Sequence, residues 1–310
     1  MLGRSKARAF ALVLVLALAA SCGARRREHA ADLEAWLSET DGNTVAFTDT
    51  YTGFSPGAGE WRTYGLVGRE PAEPGDYPVL VYTVGTFGSY TTEYALALIQ
   101  QAAEAGFVAA SVEYNNWLRF SCSDLSAKAE GIYDEEAADS AVAVLCARDR
   151  AACEKGIVSA GHSQGSWMAE LAGDFAPDLR AALALGSGTD ARSWGGDHSA
   201  CLAGDRVLPD DQLRVVNGES DHVWSWTHAG MIDQLNVLTG RSCSHTTTDC
   251  LAADGSGWLL APDAEVTDGE ADHCYMGIDG CVPVDPVWLE SDAGWALPAG
   301  LDFLAARVDP

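Results

Sequence analysis

From residue 77 onward the chain alternates short apolar runs with longer segments of helical apolar spacing, and no interdomain linker interrupts the alternation. Candidate strands cover 77–82, 107–112, 156–160, 180–185, 213–217 and 258–260. Candidate helices cover 91–105, 135–146, 164–172, 228–238 and 296–306. Strands joined through helical crossovers pair in parallel, and a parallel sheet buries its apolar faces under helices on both sides. Upstream, 44–48 and 61–67 are β-rich and alternating, with Gly and Pro between them, which predicts an antiparallel pair. The predicted fold class is α/β: a mostly parallel central sheet flanked by helices, with an antiparallel strand pair at the start, forming one domain over 43–310.

The first residues read differently. Arg4, Lys6 and Arg8 precede an apolar run over 9–20. A membrane-spanning helix needs about 20 apolar residues, so this run is too short to span and has the form of a secretory signal. Small residues then lead to Cys22, as in a bacterial lipobox, although Ala19 stands where Leu is usual. The expectation is a signal peptide over 1–22 and a tether with a short helix over 23–42. The mature protein is then exported, either lipid-anchored through Cys22 or simply secreted.

Cysteine usage agrees with export. Of nine cysteines, Cys22 belongs to the leader and eight remain. Cys146 and Cys153, Cys243 and Cys250, and Cys274 and Cys281 share one spacing of seven residues, and short loops close at little entropic cost. These are the expected disulfides, with Cys122 and Cys201 paired by exclusion. There is no CxxC pattern, and the histidines do not interleave with the cysteines at ligand spacing, so no metal or organic cofactor is expected. The formal charge of −26 argues against nucleic acid and other polyanions as partners. It leaves small-molecule or polymeric partners that are not polyanions, with membrane contact only through the N-terminal lipid. Oligomeric state is not legible.

The chemistry centres on Gly161-His162-Ser163-Gln164-Gly165, a GxSxG motif. It follows a short β-branched strand and opens an amphipathic helix, the strand–turn–helix setting that lifts a serine hydroxyl out of a sheet. A serine needs a base to take its proton, and the base needs an acid to orient it. Here the chain resembles the α/β-hydrolase superfamily, in which nucleophile, acid and base follow in that order. The resemblance selects Asp221, three residues past Gly218 after the 213–217 strand, with Glu219 in reserve. It selects His273, the sole histidine after 258–260, over His222, which directly follows Asp221. His162 is expected to support the turn. The oxyanion donors implied are the amides of Gln164 and, from the loop after 77–82, Thr86, with Phe87 as the alternative. Val84 stands in that loop where His is frequent.

The implied activity is hydrolysis of carboxylic esters through an acyl-enzyme. Polyester depolymerase, cutinase-like and peptidase activities are variants on the same triad. An exported binding protein that kept the fold and lost catalysis is the non-enzymatic alternative. Trp117, Trp167, Trp224 and Trp226 fall near the predicted site, as pocket walls or as core.

Overall fold

The computed structural model describes residues 33–39, 42–117, 120–191, 196–276 and 284–309. The leader, Cys22 and Cys281 lie outside these residues. Residues 33–39 belong to a unit of their own, within which 33–38 are helical.

In the main unit β1 (Thr44–Ser55) and β2 (Glu60–Pro71) form a long antiparallel hairpin. Strand β3 (Val79–Thr83), helix α1 (Glu93–Glu104) and strand β4 (Val108–Val112) follow. Helices α2 (Cys122–Tyr133) and α3 (Ala141–Cys146) lead into β5 (Ile157–His162), helix α4 (Gln164–Leu171) and β6 (Leu179–Leu185). A two-residue pairing of β7 (Asp190–Ala191) with β8 (Gly196–Asp197) precedes β9 (Leu213–Gly218) and α5 (His228–Thr239). Strands β10 (Asp249–Leu251) and β11 (Gly257–Ala261) and helices α6 (Pro286–Glu290) and α7 (Leu297–Ala305) complete the unit.

The nine-stranded sheet runs β1-β2-β4-β3-β5-β6-β9-β11-β10. Every pairing from β4 through to β11 is parallel, and the pairings of β1 with β2, β2 with β4 and β10 with β11 are antiparallel. Strands β3 to β6 and β9 are buried almost throughout, which is why they are short, continuous apolar runs rather than alternating ones. The expected α/β class with an antiparallel start is what the chain adopts.

Two expectations need correction. The helix expected over 135–146 forms only over 141–146, as α3, and α2 over 122–133 was not anticipated. Ser121 and Ser140 cap them, each accepting a backbone N–H three residues on, at 3.1 Å. Between the helices, Ala137 N–H bonds back to Asp134 and Ser140 N–H to Ala137, closing turns that break any continuous helix. The sheet also ends on β10, too short to be seen as a period-2 run.

Three bridges match the expected pairing: Cys122–Cys201, Cys146–Cys153 and Cys243–Cys250. Cys274 is disulfide-bonded as well. The disulfides fit an oxidising, exported environment. Among the described residues no helix is long and apolar enough to cross a membrane.

Candidate active site

Ser163 stands between β5 and α4 with φ 56° and ψ −121°, a conformation that costs a non-glycine residue energy and persists only when its surroundings impose it. The imposing contacts are visible at the flanking glycines. A Cβ on Gly161 would stand 2.1 Å from the carbonyl oxygen of Gly165, and one on Gly165 would stand 2.1 Å from that of Thr83. Thr83, the last residue of β3, donates its hydroxyl to Gly165 O at 2.8 Å, fastening the first turn of α4 to the sheet.

The loops that carry Asp221 and His273 cross backbone against backbone. A Cβ on Gly218 would lie 1.8 Å from Ala271 O, and Ser220 N–H donates to that same oxygen at 3.0 Å. This crossing brings Asp221, 1% exposed, to His273, whose Nδ1–H donates to Asp221 Oδ2 at 2.7 Å. His273 Nε2 is buried and has no hydrogen-bond partner among the described residues. Glu219 turns elsewhere, accepting the Asp263 N–H at 3.1 Å. His222 is exposed and stacks on Trp226.

His273 approaches the turn at Ser163 through Gly186 and His162. A Cβ on Gly186, which has φ +54°, would lie 2.9 Å from His162 Nε2 and 3.0 Å from His273 Cε1. The imidazoles of His162 and His273 have centroids 4.8 Å apart. Ser163, His273 and Asp221 are therefore brought to one end of the sheet, at the C-terminal ends of β5, β11 and β9, where ligands of parallel sheets bind.

The loop after β3 closes in a turn from Gly85 O to Gly88 N–H at 3.0 Å, with Phe87 at φ 63°. Asn116 donates its side-chain amide to both Gly85 O and Gly88 O, and Tyr114 donates its hydroxyl to Val84 O. The loop also approaches the elbow: a Cβ on Gly85 would be 2.9 Å from Ser163 Cβ. Thr86 is tied to Gln164 through Gln164 Nε2 and Thr86 Oγ1 at 3.4 Å, and buried Lys128 donates to Gln164 Oε1 at 3.3 Å. The two residues expected to supply oxyanion amides are thus neighbours.

Several supports escaped sequence reading. Asn217, a polar residue closing an apolar strand, holds both the N–H and the carbonyl of Ser187, which fixes the loop carrying Gly186. Asn116 and Tyr114 gave no signal beyond being polar residues after a strand. Among the tryptophans, Trp167 and Trp224 are core: Trp167 packs on Trp224, which meets His273 edge-on at 5.8 Å. Trp117 and Trp226 are 68% and 72% exposed, and Trp117 pairs edge-to-face with Phe87. Among the described residues no cluster of His, Cys, Asp or Glu could hold a metal ion.

No sequence-family model and no curated protein matches the chain. Solved structures do. A cold-adapted esterase from an Arctic intertidal metagenomic library superposes with a TM-score of 0.56 at 14% identity, covering 87% of this chain and 97% of that one. A CE15 glucuronoyl esterase from Teredinibacter turnerae gives 0.54 at 13% identity, over 87% and 76%. A thermostable esterase from Pseudomonas putida gives 0.50 at 15% identity, over 92% and 89%. At such identities the likeness concerns architecture, and with the strand order above it makes this chain an α/β-hydrolase in fold.

Proposed function

We propose that the protein is a serine hydrolase of carboxylic esters, with Ser163 as nucleophile, His273 as base, Asp221 as its orienting acid, and the amides of Gln164 and Thr86 as oxyanion donors. One observation carries this reading: His273 donates Nδ1–H to the buried Asp221 carboxylate at 2.7 Å, leaving Nε2 buried and unpartnered beside a strained serine elbow.

The chemistry follows from these groups. With its Nδ1 proton held by Asp221, His273 has its Nε2 lone pair free to accept the Ser163 proton as Oγ attacks the ester carbonyl. Asp221 stabilises the imidazolium that forms. Amides fixed by the strained elbow and by the Gly85–Gly88 turn meet the developing oxyanion without reorganising. His273 then protonates the leaving alcohol, and water activated by the same nitrogen releases the acid. The esterase names of the similar structures support an ester as substrate. The exposed Phe87–Trp117 pair and Trp226 flank this edge of the sheet and suit an open cleft, accessible to soluble esters or to chains of a polyester.

Reaction with a fluorophosphonate probe tests the assignment without knowledge of the substrate. Labelling of the native protein and none of a folded Ser163→Ala variant is expected, with nitrophenyl ester turnover falling by about 10⁴ or more. Near-native turnover in that variant would overturn the reading.

A further inference from the structure

We propose that His162 is a positioning residue for the catalytic base: it holds the backbone of His273 from the nucleophile's own turn, an inference that rests on the serine-hydrolase reading above. His162 occupies the variable place of the GxSxG motif and is 1% exposed. Its Nε2–H donates to the carbonyl oxygen of His273 at 3.1 Å, and the two rings tilt by 44°. Among the described residues no backbone N–H takes that carbonyl.

The ring also meets the other two segments that frame the serine. Its Nδ1 lies 3.4 Å from where a Cβ on Gly85 would be, and its Nε2 lies 2.9 Å from the corresponding point on Gly186. One side chain thus lies against the oxyanion loop, the loop after β6 and the His273 loop. The absence of a Cβ at Gly85 and Gly186 leaves it that room.

Donation through Nε2 fixes the tautomer, leaving Nδ1 unprotonated, buried and without a partner among the described residues. Burial first, and the neighbouring His273 second, hold the ring's pKa well below the usual imidazole range, so the ring is neutral. A neutral ring does not compete with His273 for the serine proton and adds no second positive charge beside the imidazolium. An apolar side chain of similar size would fill the space but leave the His273 carbonyl unheld. His273 would keep its bond to Asp221 yet gain freedom about its own backbone, and catalysis depends steeply on such placement.

Nitrogen NMR of histidine-labelled native protein reads the contact directly. A neutral Nε2–H tautomer is expected for His162; an Nδ1–H tautomer or a charged ring would overturn the proposal. Kinetics then read the role. His162→Leu is expected to lower kcat on a nitrophenyl ester by about 30- to 100-fold and to slow fluorophosphonate labelling in parallel, with KM changed less than about threefold. His162→Gln, whose side-chain amide reaches the same point, is expected to stay within about fivefold of the native protein. Should the Leu variant fail to fold, the Gln variant and the NMR carry the test, and a loss in folded His162→Gln of about 30-fold or more sinks it. Ser163→Ala run alongside separates the two readings. No label in Ser163→Ala with native-rate labelling in folded His162→Leu overturns this inference alone. Label persisting in Ser163→Ala overturns both.

Discussion

At the scale of single residues, the two carboxylates that follow β9 differ in what each one holds. Asp221 takes the His273 Nδ1 proton, whereas Glu219 is engaged with the Asp263 N–H and braces the turn after β11. Asp221→Asn is expected to cost about 10⁴ in turnover, because an amide there favours the wrong imidazole tautomer. Glu219→Gln is expected to cost less than about tenfold, since it keeps an acceptor for the same N–H. Assay of both variants on one activated ester decides, and the greater loss in Glu219→Gln would reverse the assignment. That Ser163, Asp221 and His273 lie at one end of the sheet was legible because their order and their places after strands follow from the alternation of the chain. The supports were not. Nothing in the sequence around Asn217 announces that its side chain clasps Ser187 thirty residues away, and Lys128 reads as an ordinary surface lysine until α2 places it beside Gln164.

At the scale of elements, α4 is packed so closely onto β3 that its sequence has little latitude. Gly165→Ala would press a methyl group against Thr83 O, and a loss of roughly 3 kcal/mol or more in denaturant-measured stability is expected, with activity falling because Ser163 shifts. The same helix buries Glu170, whose carboxyl is pushed up to about 8 by burial, partly offset by the hydroxyl of Ser187 at 2.6 Å. A carboxyl raised in the folded state stabilises the fold fully below its unfolded pKa, near 4.5, and that contribution is lost as pH rises through about 8. Stability is therefore expected to fall between these values with a slope of up to about 1.4 kcal/mol per pH unit from this group. Glu170→Gln should flatten that slope in thermal melts at pH 5, 6.5 and 8; equal slopes would show that the carboxyl is not protonated in the fold. Elements with strong apolar runs were legible, and the others were not. The Ala-rich stretch over 135–146 invites a helix along its whole length, and only the cap at Ser140 shows that the helix starts at 141. Helix α2 is masked by its serines and charges, although Ser121 followed by Asp124 is an N-terminal signature in plain view.

At the scale of the whole molecule, the bridges differ in kind. Cys146–Cys153 and Cys243–Cys250 close short local loops, while Cys122–Cys201 spans 79 residues and joins the start of α2 to the segment between β8 and β9. On chain-entropy grounds the long bridge is worth about 4–5 kcal/mol and each short one about 2 kcal/mol. Reduction should lower the melting temperature, and Cys122→Ser paired with Cys201→Ser should account for more of the loss than either local pair. A larger loss from Cys146→Ser paired with Cys153→Ser would contradict this ranking. Titration of the native protein under denaturing, non-reducing conditions is expected to find no free thiol among the mature cysteines, and two or more would exclude four bridges. The long bridge also encloses a short one, since Cys146 and Cys153 both lie between its ends. A chain oxidised in order as it emerges during translocation would join Cys122 to Cys146 and leave Cys153 to meet Cys201. Maturation of this protein therefore calls for thiol–disulfide reshuffling in the compartment that receives it, and a host lacking disulfide isomerase should accumulate misbridged, inactive chains.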